Sequence, residues 1–332
     1  MKFNILISIL AMVLVAGCSI PGFEIPGMGV VPGLGGTGLE IISFTAEPTP
    51  VYSGRTTRVV AEIENRGGTI VEESDACVYL TGSNIDLGGG TDYWTGKDAD
   101  DKEEVKHFDK DMEPENVVRG TPADIERFSW TLVAPTLTPG QTRQDVFIIR
   151  VYNEYSSGVN GNIWVYTDAE AEATKAAGRA LKTGTFTPVS GPVGVNVRVS
   201  PNPVVLYEDE NEFTFSIDIT NNAQGTIYYK PGLDYESDDP DLKLDPETQL
   251  NNINVAVYAP DLTIEECEGQ QEIFGGRSMT LVCEVTINAG TPDTFKSYLV
   301  NVDVDYGYYS EREAYVTVQG RTISEQPEEP EE

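Results

Sequence analysis

The chain has 332 residues, 39% of them hydrophobic, and carries 54 acidic against 22 basic side chains for a formal net charge of −32. That length predicts two domains once a leader is set aside. A field of this sign excludes nucleic acid as a partner and gives the folded body no attraction to anionic headgroups.

Met1-Lys2 is a short positive start, and Ile5 to Val15 is apolar apart from Ser8. This is the length of a signal-peptide core and roughly half of the ~20 residues a membrane span needs. No later apolar run approaches that length, so the mature part is expected to be soluble. The core ends in Leu14-Val15-Ala16-Gly17-Cys18. The motif resembles the lipobox of prokaryotic lipoproteins, with small residues before the cysteine and Val15 as a branched first position. The resemblance implies removal of residues 1–17, lipid attachment at Cys18 and residence on the outer face of a cell membrane. Residues 18–38 follow as a proline- and glycine-dense stretch, SIPGFEIPGMGVVPGLGGTG after the cysteine, which reads as a tether.

From Leu39 the pattern is β. Short runs rich in Val, Ile, Thr and Tyr recur at Leu39–Phe44, Thr57–Ile63, Ala76–Leu80, Phe128–Leu132, Gln144–Val151 and Asn162–Thr167, separated by Gly, Pro, Asn or Asp. After Gly191 the pattern restarts with Val193–Val199, Glu212–Ile219, Ile253–Tyr258, Ser278–Val285, Tyr298–Val304 and Glu313–Val318. Both halves open with Pro-x-Pro, at Pro48/Pro50 and Pro201/Pro203, then an alternating strand, then an Asn/Gly turn at Asn65/Gly68 and Asn221/Gly225. Prolines suit the end of an edge strand, and the Asn/Gly turns are expected to be hairpins. Gly140 and Gly276 each precede a strand in the later part of a half. The fold expected is all-β, with two tandem immunoglobulin-like β-sandwiches after a signal peptide and flexible tether.

The Pro-x-Pro start, the strand ending in Glu-x-Asn-x-Gly or Thr-Asn-Asn, and the glycine-then-strand second half resemble the CARDB-type immunoglobulin-like modules of archaeal and bacterial surface proteins. That resemblance implies adhesion or assembly and supplies no catalytic residue. The boundaries it suggests are 39–190 for a first sandwich, interrupted by an insertion at 82–121, and 191–320 for a second. Residues 321–332 read as a disordered acidic tail. Ala169 to Leu181 has helix-favouring composition, but its early alternation and its place in the repeat favour a strand.

Cys267 and Cys283 are expected to form a disulfide, since an exported chain is oxidised and the pair flanks the turn at Gly275-Gly276. Cys77 is left as a buried small hydrophobe. With His107 the only histidine, zinc sites and nucleophilic triads lack their parts, and no enzyme is expected. No cofactor is expected beyond weak calcium on two acidic loops. One holds Asp98, Asp100 and Asp101, and the other Asp234, Asp238, Asp239 and Asp241. Tyr93, Trp94, Tyr306, Tyr308 and Tyr309 are candidate contact aromatics. The function expected is a lipid-anchored structural or adhesive surface protein whose partner is an envelope protein or a neighbouring cell. A carbohydrate- or calcium-binding receptor is the rival.

Overall fold

The structure, a computed structural model, describes residues 38–189, 191–207, 210–235, 242, 244 and 248–321. Cys18, the tether, the acidic tail and Asp238, Asp239 and Asp241 lie outside the described residues. The first half comprises β1 (Leu39–Glu47), β2 (Val51–Tyr52), β3 (Thr56–Asn65), β4 (Ala76–Gly82), β5 (Thr95–Gly96), β6 (Val105–His107), β7 (Ile125–Val133) and β8 (Thr142–Thr167). A helix, α1 (Asp168–Ala176), and β9 (Phe186–Val189) lead to the second half. There the strands are β10 (Val193–Val199), β11 (Val204–Leu206), β12 (Glu212–Asn221), β13 (Thr226–Tyr228), β14 (Asn252–Tyr258), β15 (Leu262–Glu265), β16 (Gly269–Glu272), β17 (Ser278–Ile287) and β18 (Phe295–Gln319).

The chain is all-β and builds two immunoglobulin-like sandwiches. One sheet of the first is β1-β3-β7-β5, and its counterpart in the second is β10-β12-β17-β15. Each of β1 and β10 is an edge strand that stops just before its Pro-x-Pro, where a missing N–H breaks no ladder. The inward faces alternate as the sequence demands: Val59, Ala61 and Ile63 in β3, and Phe215, Ile217 and Ile219 in β12, are all buried.

The second sheet of each sandwich is not separate. A single ten-stranded sheet runs through both, and its centre is the antiparallel pair β8 and β18. All 25 residues of β18 pair with β8, from Phe295↔Tyr166 to Gln319↔Thr142, without a register shift. The first half of β8 and the second half of β18 close the first sandwich, where Phe147, Ile149 and Val151 meet Ala314, Val316 and Val318 in one core. The second half of β8 and the first half of β18 close the other, where Val159, Ile163 and Val165 meet Val300, Val302 and Val304. Each half of the chain therefore donates its last strand segment to the sandwich of the other half.

This corrects the boundaries 39–190 and 191–320: neither stretch holds all the strands of one sandwich. It also merges four predicted strands into two. Gln144–Val151 and Asn162–Thr167 are parts of β8, and Tyr298–Val304 and Glu313–Val318 are parts of β18. The intervening Asn153 to Asn162 reads as turn chemistry, yet 25 cross-strand partners outweigh a local preference. Glycines of the two paired strands serve close packing. A Cβ on Gly158 would lie 2.4 Å from the Val302 carbonyl oxygen, and one on Gly307 would lie 2.2 Å from the Tyr228 ring.

The repeat itself is real, and its prolines, short parallel strands and long strands recur at the same offset: 201 − 48 = 204 − 51 = 295 − 142 = 153 positions. Accordingly β2 pairs in parallel with the end of β18, and β11 in parallel with the end of β8. The structural counterpart of Gly140 is Gly290, each at positive φ before a long strand, rather than Gly276. Asn65 and Asn221 do not form hairpins. Each ends a strand that crosses to the other sheet, and its side chain clamps the crossing. The Asn65 amide donates to the carbonyls of Thr69 (2.9 Å) and Met112 (2.7 Å) and accepts from Gly67 N–H (2.9 Å). Asn221 donates to Gly225 and Gly276 (both 3.1 Å) and accepts from Ala223 N–H (3.2 Å).

Two local expectations also change. Residues 168–176 are helical rather than extended. Thr167 caps α1 by accepting from Glu170 N–H (3.4 Å), with Asp168 and Glu170 in the first turn and Lys175 in the last, complementing the helix dipole. The 82–121 insertion is part of the first core, burying Leu87, Trp94, Phe108 and Met112.

Cys267 and Cys283 form the expected disulfide, with Cα atoms 5.4 Å apart and both residues fully buried. Cys283 is on β17, and Cys267 sits where the chain passes from β15 in one sheet to β16 in the other. Reduction is expected to lower unfolding stability by about 3 kcal/mol on loop-closure grounds, read from denaturant melts with and without reductant. Residues 38–190 and 191–321 made as separate chains should each be largely unfolded by circular dichroism. Mixed, they should recover the β spectrum and co-elute as one species; independent cooperative folding of either half would contradict the strand exchange.

Candidate functional site

The two sandwiches meet at a waist where Glu154 pairs with Gly307. Here the alternation of β8 and β18 projects tyrosines to both faces of the sheet. On the inner face Tyr155, Tyr306 and Tyr308 turn their hydroxyls on backbone donors. Leu39 N–H donates to Tyr155 Oη (2.8 Å), Val193 N–H to Tyr306 Oη (3.0 Å), and Gly225 N–H to Tyr308 Oη. The first two donors open β1 and β10, so the tyrosines anchor the starts of both outer sheets to the shared one. Ser157 Oγ lies 2.8 Å from Tyr306 Oη and completes its bonding.

On the outer face Tyr152, Tyr228 and Tyr309 form a ring cluster with centroid separations of 5.1 to 6.3 Å. Tyr235 closes over it, its hydroxyl 2.5 Å from that of Tyr228. Arg150 stacks on Tyr309 at 5.3 Å. Beside this cluster lies a cleft of ≈ 420 Å³ lined by Asp75, Glu154, Asp305, Tyr228 and Lys230 among others. Burial raises the Glu154 carboxyl above its ordinary value, with Asp75 and Asp305 adding to the effect.

The cleft is lined by carboxylates, phenols and Lys230. Cys77 lies opposite His107 across β4 and β6, a juxtaposition the sequence could not place. Burial nevertheless pushes its thiol up to about 12, so it stays protonated at neutral pH.

The predicted contact residues divide sharply. Tyr93 is 45% exposed, but Trp94 is fully buried, its Nε1 donating to Asp145 Oδ2 (2.9 Å). Asp145, itself buried, also accepts from Asn84 (2.9 Å) and pairs with Arg143 (3.0 Å). Tyr306 and Tyr308 are buried and Tyr309 half-buried. Trp94 fills the first core, and Tyr306 and Tyr308 pack the waist, where a junction between two sandwiches takes large rings with one polar end, in place of the contact surface expected of them.

In the first acidic loop Asp98 and Asp100 are exposed, whereas Asp101 is buried and accepts from Thr131 N–H (2.8 Å), fastening the insertion to β7. Asp234 is exposed in the second loop. Among the described residues, no group of three or more acidic, histidine or cysteine side chains converges on a common point.

The fold defines the class: an all-β protein of two immunoglobulin-like sandwiches joined through one sheet. No family model and no curated protein matches the chain. Among solved structures, native Escherichia coli alpha-2-macroglobulin aligns with 85% of this chain at 11% identity and a TM-score of 0.21. The chain spans 17% of that structure's length. The elastase-activated form aligns at 10% identity and a TM-score of 0.19 over 82% of this chain and 32% of its own. The Enterococcus faecalis MSCRAMM ACE, which binds its ligands by the collagen hug model, aligns at 9% identity and a TM-score of 0.16, covering 85% of this chain and 96% of that one.

Burial pushes the Tyr152 and Tyr155 phenols from 10.0 up to about 12, and raises Tyr306 further. Below about pH 10 these phenols are neutral in folded and unfolded chains alike. Above it the unfolded chain ionises first. Stability is therefore expected to hold to about pH 10 and be lost as pH rises through about 12. Phenolate absorbance and circular dichroism followed together should show these tyrosines ionising only with unfolding. Ordinary titration with the fold intact would count against the buried waist.

Proposed function

We propose that the chain is a lipid-anchored protein of a prokaryotic cell surface with a structural or adhesive, non-catalytic role. The observation that carries this reading is the β8–β18 ladder. At ~3.3 Å per residue, 25 residues of unbroken strand span roughly 80 Å, and they run through two cores that neither half completes alone. Such a body suits holding surfaces at a set distance. A hinge between modules, the usual device of enzymes that close on a substrate, has no place in it.

The lipobox-like Val15-Ala16-Gly17-Cys18 supports export and anchoring, and the buried Cys267–Cys283 disulfide suits an oxidising compartment. No helix of the described residues is long and apolar enough to cross a membrane; the reading assigns attachment to the lipid on Cys18 on the strength of the motif alone. The carbohydrate- or calcium-receptor reading loses Trp94 to the core and Asp101 to a backbone bond.

Two experiments test the reading. Cys18→Ser should move the protein from the membrane fraction to the soluble one; retention would overturn the anchor. Crosslinking on intact cells with mass spectrometry should join the chain reproducibly to one envelope protein or to itself. Only scattered low-yield neighbours would argue against a structural role.

A further inference from the structure

The acidic residues of this chain are unevenly spread. From Ala173 to Tyr207 there is not one acidic side chain, while Lys175, Arg179 and Lys182 fall close together within that stretch. The structure sets Lys182 at the tip of the second sandwich, with Lys175 and Arg179 on the end of α1 and the turn that leads to it. Lys175 is in the last turn of α1, and Gly178, at a φ of 70°, lets the chain fold back over the end of β8. Lys182 N–H donates to Tyr166 Oη (3.0 Å), which sets its side chain over an aromatic floor. Its Nζ lies 4.5 Å from the centroid of Trp164 and 5.6 Å from that of Phe295. Phe295 stacks on Tyr166 at 5.2 Å and remains 42% exposed. All three cations are exposed, and none is ion-paired with a described residue. Beside this floor runs an open groove lined by Gly184, Phe186, Asn196, Arg198 and Asn202, also from the acid-free stretch, in which Arg198 pairs with Asp218.

A basic aromatic surface on a chain of net charge −32 calls for an acidic partner. The chain carries one of matching chemistry, Glu325-Gln326-Pro327-Glu328-Glu329-Pro330-Glu331-Glu332. Its Pro-x-x-Pro spacing is what aromatic-lined grooves accept, and its carboxylates suit the three cations. The tail's own tip cannot be its docking place. Glu325–Glu332 lie within eleven residues of Arg321, a reach of at most ~40 Å. The ladder from Gln319 back to Ser297, the partner of Trp164, measures roughly 75 Å.

We propose that the surface formed by Trp164, Phe295, Lys182, Arg179 and Lys175 docks the acidic segment Glu325–Glu332 of a second copy, so that copies associate head to tail. The contact is heterologous: each copy offers a groove at one tip and a tail at the other, so the array grows as an open filament unless its rotation closes a ring. The proposal does not depend on the lipid anchor.

The test uses two variants of the full chain. One changes Glu325, Glu328, Glu329, Glu331 and Glu332 to Gln, leaving the groove intact. The other carries Arg179→Glu and Lys182→Glu, leaving the tail intact. In sedimentation velocity up to ~1 mM, the unaltered chain is expected to grow with concentration while each variant alone stays monomeric. Mixed, the variants should form dimers and nothing larger. A synthetic peptide of residues 322–332 should perturb tryptophan fluorescence, which reports Trp164 because Trp94 and Trp130 are fully buried. Its affinity should fall by about tenfold or more for the groove variant. The proposal is overturned if the unaltered chain stays monomeric, if the mixed variants fail to dimerise, or if an unrelated oligoglutamate binds as tightly as the tail peptide. Unchanged melting temperatures for both variants keep a folding defect from imitating the result.

Discussion

Everything in this molecule follows from one unbroken antiparallel pair. In an ordinary immunoglobulin-like sandwich, the last two strands of one sheet are joined by a tight hairpin and both pack on their own core. Here the hairpin is opened into straight strands, and β8 and β18 each run on into the neighbouring sandwich. The hydrogen bonds that a hairpin would make locally are made instead between distant residues, from Tyr166 and Phe295 (295 − 166 = 129 positions apart) to Thr142 and Gln319 (319 − 142 = 177). Two cores thereby become interdependent, because removing either half strips a central strand segment from both.

That exchange explains the chemistry at the waist. Where two sandwiches share a sheet, the first residues of β1 and β10 would leave backbone donors facing a junction without a matching strand. Tyr155 and Tyr306 meet those two donors with hydroxyls, Tyr308 does the same for Gly225 N–H, and their rings fill the gap. An unmet buried N–H costs ~1–3 kcal/mol, so three satisfied donors are a substantial fraction of a marginal fold stability. Gly307 is the steric counterpart: any side chain there would displace the Tyr228 ring that covers the opposite face.

How much of this was legible in the sequence depends on range. Alternation in Thr56–Asn65 and Glu212–Asn221 is a local signal and located the outer sheets; Pro-x-Pro located their edges. The disulfide was legible from compartment and position. The exchange was not, because Asn153 to Asn162 is locally turn-like and only its distant partners hold it straight. Trp94 misled for a related reason. It lies among Gly, Asp and Lys in an insertion without periodicity, and its burial comes from Asp145, a partner 51 positions away. Residues 168–176 carried a legible helix signal in Thr167, Asp168 and Lys175, which the repeat comparison overrode.

The bond from Leu39 N–H to Tyr155 places the start of the described chain at the waist rather than at a tip. A pull arriving through the preceding peptide would therefore reach the body near its midpoint. From there the load divides between two arms of similar length, each stiffened by the same pair of strands.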